Sequence, residues 1–204
     1  MPILVYLAGP DVFLPDPQDW AARRRAICAH HGLQGVSPLD DLPDEPAHWA
    51  ALPEWRRIAL RNEAQIARCA AIIANITPFR GPSADVGTAF EIGFARALGR
   101  PVFAYSNTAV PFTRRSLDFA AAHGGSIAGP GGVWRDADDL LIERFGLCDN
   151  LMLHAAVQES DGALVLPETE AGHGWRDLSV FERCVALAAE RLCERPSPAP
   201  LAAG

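Results

Sequence analysis

Short apolar runs alternate along the chain with longer stretches in which apolar and charged positions interleave at helical spacing. Residues 3–8 are apolar throughout and read as a first core strand. Residues 17–31 hold Trp20, Ile27 and the charged face Arg23-Arg24-Arg25, which suits a helix that Gly32 stops. Residues 34–39 read as a second strand, and 41–53, rich in Pro, Asp and Trp, as a loop. Residues 54–68 carry Trp55, Ile58, Leu60, Ala64 and Ile66 among charges, the pattern of a helix. The clearest buried strand is Ala-Ala-Ile-Ile-Ala-Asn-Ile, 70–76. A loop over 77–84 leads to a helix over 86–98, ended by Gly99, and to a strand over 101–105. Residues 106–135 are Gly-rich and read as an irregular surface loop, 136–157 as largely helical, and 164–166 as a short strand. The last strong element is an amphipathic helix over 175–193, with Leu178, Phe181, Val185, Leu187 and Leu192. A Pro/Ala-rich tail, 194–204, is expected to be disordered.

This strand–helix alternation predicts one α/β domain, residues 1–193, built on a mainly parallel sheet. Such sheets bind ligands outside the carboxyl ends of their strands. Three segments therefore matter most: Ala8-Gly9-Pro10 after the first strand, Ser37 to Asp41 after the second, and Thr77 to Glu91 after the strand at 70–76.

Composition narrows the function. The chain has 204 residues, 49% hydrophobic and 21% charged, an ordinary globular balance with enough length for a substantial core. No apolar run approaches the ~20 residues that cross a bilayer, so no membrane partner is expected. The apolar N-terminus lacks a basic signal-peptide region, and a cytoplasmic location is the expectation. A net charge of −7 argues against a nucleic acid polymer as partner, although one small-ligand pocket is compatible with it. The five scattered cysteines form no CxxC pair and read as reduced thiols. His48, His123, His154 and His173 share no ligand spacing, so no metal is expected, and no GxGxxG, Walker or GxSxG context points to a cofactor or a serine nucleophile.

The richest segment runs from Asn75 to Gly93. Asp85 stands where a helix begins, the position of an N-cap. Glu91 follows about a turn and a half later, either as an exposed helix glutamate or as a functional carboxylate. Its neighbours Ala89, Phe90, Ile92 and Gly93 are apolar or small, and Gly87 and Gly93 each weaken the helix by roughly 1 kcal/mol relative to Ala. Glycines in such places commonly permit close approach of a ligand or backbone. Ala8-Gly9 at the end of the first strand makes either a tight turn or room for a ligand ring. Phe13, Trp20, Trp49 and Trp55 are candidates for stacking a base or for ordinary packing, and Arg23-Arg24-Arg25 reads as a solvated face.

Taken together, four segments in order resemble the nucleoside 2-deoxyribosyltransferases: Tyr6-Leu7-Ala8-Gly9-Pro10-Asp11-Val12-Phe13, the stretch Asn62 to Ile66, the run Ile73 to Gly81 leading into Asp85 to Gly93, and Phe145 to Leu153. The similarity spans roughly residues 3–157 and is greatest to the purine-handling type also found in trypanosomatids. It implies a three-layer, flavodoxin-like, doubly wound sheet of about five strands. By the same resemblance Glu91 is the nucleophile, Tyr6 orients it, and Asp85 binds the sugar 5'-hydroxyl. Gly9 and Phe13 are read as substrate-binding from their own positions, and Asp40, in a segment that resembles one near the family's base site, either lines that site or caps the following turn. Asn62 faces the base where other members carry an aspartate, and an amide cannot supply a proton as a carboxylic acid can. Asn150 reaches into a neighbouring subunit's site, which implies a homodimer or higher homo-oligomer.

The expected chemistry is transfer of 2-deoxyribose from a deoxynucleoside to a free nucleobase. Retention at the anomeric carbon requires two displacements through a deoxyribosyl-Glu91 intermediate, with hydrolysis as a side reaction. The missing 2'-hydroxyl eases formation of the sugar cation, and a helix dipole is expected to keep Glu91 ionised. Two alternatives stand beside this reading: a nucleoside or nucleotide N-glycosidase of the same family, and a non-catalytic nucleoside-sensing domain. As the resemblance runs, the monophosphate hydrolases carry a serine where this chain has Asp85.

Overall fold

Parallel strands need long crossover connections, and the chain supplies helices for them. The computed structural model describes residues 2–125, 127–129, 132–170 and 172–194. Strand β1 (Ile3–Ala8) leads through a short 3-10 turn, Pro10–Phe13, into helix α1 (Pro17–His30) and strand β2 (Leu33–Val36). A second 3-10 turn, Ala47–Ala51, interrupts the loop before helix α2 (Glu54–Arg68), strand β3 (Ala71–Asn75), helix α3 (Val86–Ala97) and strand β4 (Val102–Tyr105). Helix α4 (Phe112–Ala122) and a hairpin of β5 (Ile127–Gly129) and β6 (Val133–Arg135) follow. Helix α5 (Leu151–Gln158), strand β7 (Ala163–Val165) and helix α6 (Ser179–Glu194) complete the order. No described helix is long and apolar enough to cross a membrane.

Five strands form one parallel sheet in the order β2-β1-β3-β4-β7. Alternate side chains divide between its two faces. Val5, Leu7, Ile73, Phe103 and Tyr105 pack against α1 and α6 through Cys28, Phe181 and Val185. Tyr6, Ala8, Ile72, Ala74 and Ala104 pack against α2, α3 and α5 through Ile66, Ile92 and Val157. The result is the three-layer, flavodoxin-like, doubly wound arrangement expected from the sequence. Its strand order reverses between β1 and β3, the point at which such sheets open a crevice for ligand.

Strand β2 ends at Val36 rather than at residue 39, where the Asp40 N to Ser37 carbonyl bond makes a turn, and the structure departs from the sequence reading in four further stretches. Residues 106–135 contain α4 and the β5–β6 hairpin rather than an irregular loop. The Gly-rich run hid the helix, whose Arg114–Asp118 pair sits at i,i+4. Residues 136–150, expected to be helical, are not. Asp136 Oδ1 accepts the backbone N–H groups of Asp138 and Leu140, and Asp139 adopts φ 63, so local side-chain caps displace the helix until Asn150 starts α5. Residues 175–178 precede α6 rather than open it: Asp177 Oδ1 accepts from Ser179 N and Oγ, and Asn107 Nδ2 donates to the carbonyls of Gly174 and Asp177. Glu194 is the last residue of α6, and the rest of the expected tail, 195–204, lies outside the described residues.

Candidate active site

Glu91 sits on the α3 face turned toward β1 and α2. Its Oε1 accepts a 2.8 Å hydrogen bond from the Tyr6 hydroxyl and a 3.2 Å bond from Asn62 Nδ2. Oε2 takes no hydrogen bond among the described residues. Tyr6 is fully buried in the middle of β1, and Asn62 lies midway along α2, so three elements converge on one carboxylate. Asn62 Oδ1 is itself buried without a partner among the described residues.

The electrostatics differ from the sequence expectation. Glu91 lies beyond the first turn of α3, where a helix dipole has little hold. Burial is the largest influence and pushes its carboxyl up to about 7. The Tyr6 hydrogen bond opposes that rise, the negative charge of Asp85 adds to it, and the Asn62 bond again opposes it. Tyr6 is held well above the usual phenol value, first by burial and then by the Glu91 charge, so it stays a donor.

Asp85 is the N-cap of α3 in extended backbone geometry (φ −61, ψ 136). Its Oδ2 accepts from Thr88 N at 2.9 Å and Thr88 Oγ1 at 3.1 Å, and Oδ1 is left without a hydrogen bond among the described residues. A Cβ on Gly87 would come 3.0 Å from Asp85 Oδ2, so that glycine leaves room for the cap carboxylate. Outside its own helix, no atom of the described residues lies within 4 Å of where a Gly93 Cβ would stand, and the residue borders an apolar groove between α3 and α5.

Gly9 is required by the backbone, not left open for a ring. Its φ is 147, and a Cβ there would meet Asp11 Oδ2 at 2.4 Å and Asn75 Cβ at 2.7 Å. That space belongs to a buried network the sequence reading missed. Asp11 accepts from Trp20 Nε1 and Arg24 Nη1, both at 3.0 Å, and from Asn75 Nδ2 at 3.2 Å. Arg24 is only 3% exposed, so the Arg23-Arg24-Arg25 run is not a solvated face at its centre. Trp20 is thereby a core residue. The network ties the ends of β1 and β3 together, and Asn75 Oδ1 then accepts from Thr77 N to start the loop that leads to Asp85. A buried carboxylate one residue past a strand-end Gly-Pro was the available signal for it.

The other predicted residues lie apart from Glu91 or reach it only through neighbours. Phe13 is 59% exposed and stacks on Phe79 with ring centroids 5.4 Å apart. Arg80 lies over both rings, and Trp175 meets Phe79 edge-on. Asp40 has both carboxylate oxygens engaged, by Arg25 Nη1 at 2.6 Å and Ser37 N at 2.8 Å, and its carbonyl accepts from Gln65 Nε2 on α2. It holds the turn after β2 to α2. Asn150 caps α5, accepting from Met152 N and donating to Glu143 Oε1 at 2.6 Å. The chain does not bring it to its own Glu91; it lines the α3–α5 groove with Ala89 and Gly93. Trp55 is 72% exposed on α2, and Trp49 is partly buried in the 47–51 turn.

Comparison with known proteins adds four findings. A sequence model of one family, described as nucleoside 2-deoxyribosyltransferase, matches residues 5–152. A solved 2-deoxyribosyltransferase from Leishmania mexicana is 29% identical, with 90% of this chain and 97% of that chain covered and a TM-score of 0.58. An uncharacterized protein of Schizosaccharomyces pombe is 28% identical over 165 residues, 78% of each chain. At 17% identity and TM-score 0.50, a conserved protein from Enterococcus faecalis V583 shares the fold, with 92% of this chain and 99% of that chain covered.

The hydrogen bond from Tyr6 stabilises the ionised form of Glu91, so Tyr6→Phe should raise the titration midpoint of this carboxyl above about 7. Infrared difference spectra of the carboxylate band, with Glu91→Gln as blank, measure it. A midpoint that stays or falls contradicts the assigned electrostatics.

Proposed function

Because the chain belongs to the nucleoside 2-deoxyribosyltransferase family, we propose that it transfers 2-deoxyribose between nucleobases with Glu91 as nucleophile. The observation that carries this reading is the Glu91 carboxylate, with Oε1 held by Tyr6 and Asn62 and Oε2 left without a partner. Oε2 attacks the anomeric carbon as the N-glycosidic bond breaks and the base departs with the bonding electrons. The base gains a proton from solvent. An incoming base nitrogen then attacks the same carbon from the opposite side, loses its proton, and releases the Glu91 carboxylate. Two inversions give net retention. Water in place of the incoming base gives hydrolysis, the side reaction expected of a glycosyl-enzyme.

Burial that raises the Glu91 pKa also strips its water, which makes the ionised form a stronger nucleophile. Tyr6 and Asn62 hold the carboxylate so that little reorganisation is needed on attack. Asn62 Oδ1, buried without a partner among the described residues, is an acceptor for an N–H of the base. Asp85 Oδ1 is the acceptor for the sugar 5'-hydroxyl. A phosphate there would face a carboxylate at contact, a repulsion of several kcal/mol at an effective dielectric constant of about 20. Phe13, exposed and stacked on Phe79, offers a ring face to the base. Asn150 serves the site of a neighbouring subunit in a homo-oligomer, consistent with its place on the apolar α3–α5 groove rather than at its own Glu91.

Mixing the enzyme with deoxyinosine and no acceptor should give an intact mass increased by one deoxyribosyl group. Glu91→Ala should lose both adduct and base exchange while keeping the parent's circular dichroism spectrum. Base exchange near the parent rate in that variant would sink the nucleophile assignment. Deoxyinosine should be used far better than its 5'-monophosphate, and the reverse preference in kcat/KM would refute the role of Asp85. Mixing Glu91→Ala with Asn150→Ala subunits should restore about one quarter of the parent activity, the share of intact composite sites after random exchange in a two-fold dimer. A mixture no more active than its parts removes Asn150 from a shared site.

A further inference from the structure

A carboxylate outside the reacting centre holds the chain just ahead of Asp85. Asp149 is fully buried, and four donors satisfy its two oxygens. Oδ1 accepts from Ser83 Oγ at 2.6 Å and from Asn150 N at 2.8 Å. Oδ2 accepts from Ala84 N at 3.0 Å and from Arg115 Nη2 at 3.2 Å. The same Arg115 nitrogen donates to the Cys148 carbonyl. One side chain thus joins the loop after β3, the start of α5, and α4.

The attachment points suit a positioning role. Ser83 and Ala84 are the two residues before Asp85, and their bonds to Asp149 fix the direction in which the chain enters the cap. Asp85 is extended, so a rotation about the 84–85 linkage would swing its carboxylate while the Thr88 bonds still permitted a cap. Thr88 holds only Oδ2, whereas the orientation of Oδ1 depends on the incoming backbone. One local bond, from Phe79 N to the Ser83 carbonyl at 2.9 Å, closes the loop behind this point, while the bonds from Ser83 Oγ and Ala84 N reach 66 and 65 residues forward to Asp149. We propose that Asp149 is a positioning residue that aims Asp85 at the 5'-hydroxyl of the sugar, and that its bond to Asn150 N ties this aim to the segment lining the α3–α5 groove. The inference rests on the reading of Asp85 given above.

The test compares kcat/KM for deoxyinosine with that for 2',5'-dideoxyinosine, which lacks the 5'-hydroxyl. Their ratio is the discrimination that Asp85 confers. Asp149→Asn should lower the ratio by about tenfold or more, as a misplaced contact group does, while changing the rate on the dideoxy substrate little. A purely structural lesion lowers both rates together and keeps the parent ratio, and that result overturns the proposal. Asp85→Ala is the control. If it leaves the ratio unchanged, the 5'-hydroxyl assignment fails and the inference falls with it; if it collapses the ratio and Asp149→Asn does not, the inference alone fails. Asp149→Asn removes the charge opposite the half-buried Arg115, so Ser83→Ala decides the question if that variant does not fold. This milder change keeps the ion pair and deletes one bond to Asp149. It should lower the ratio in the same direction by about threefold, the low end of what one hydrogen bond contributes, since three donors still hold Asp149; an unaltered ratio counts against Asp149.

Discussion

The hydrogen bond between Tyr6 and Glu91 joins residues 85 positions apart, and nearly every other feature of the molecule serves to make it possible. Tyr6 points toward α2 and α3 only because β1 holds its register between β2 and β3. A slip of one residue would turn its ring to the α1–α6 face and bring Val5 or Leu7 to the carboxylate. Sheet register and site geometry are therefore one property. The buried Asp11–Arg24–Asn75 network extends the same control past the strand ends, where ladder hydrogen bonds stop.

Burial works against the ionisation that nucleophilic attack needs. The apolar surroundings and the Asp85 charge push Glu91 up to about 7, and two hydrogen bonds pull it back. A fully solvated glutamate would ionise more readily and attack more weakly; an unassisted buried one would remain protonated. The arrangement lies between these limits, as expected where a group must be both available and reactive near neutral pH. Polar groups that folding alone would have paired, such as Asn62 Oδ1, stay unsatisfied beside it.

Much of this was legible in the chain, for identifiable reasons. The five sheet strands are short apolar runs set off by Gly, Pro or charge, and β3 is buried along its whole length, so the α/β class followed from patterning. Glu91 and Asp85 drew notice because one lies among apolar residues and the other at a helix start. Gly93 faces open space rather than another described segment of the chain, and the tight fit at Gly9 is against Asp11 and Asn75. Arg24 looked solvated because sequence displays charge and not the carboxylate that neutralises it from β1's end. Asp149 was invisible as an organiser for the same reason: its partners, Ser83, Ala84 and Arg115, come from two distant segments. The helical reading of 136–150 failed where short-range aspartate caps outcompeted apolar periodicity.

Helix α6 has a bearing on what counts as the unit of inheritance. The family match ends at residue 152, yet Phe181 and Val185 from α6 cover Phe103 and Tyr105 on the sheet face opposite Glu91. Arg176, just ahead of α6, pairs with Asp16 at the beginning of α1. Descent recorded in shared motifs and the cooperative body that folds are thus of unequal length. The body that must fold as a unit is therefore longer than the stretch in which the motifs lie, and a change on α6 would reach the site through the sheet it covers.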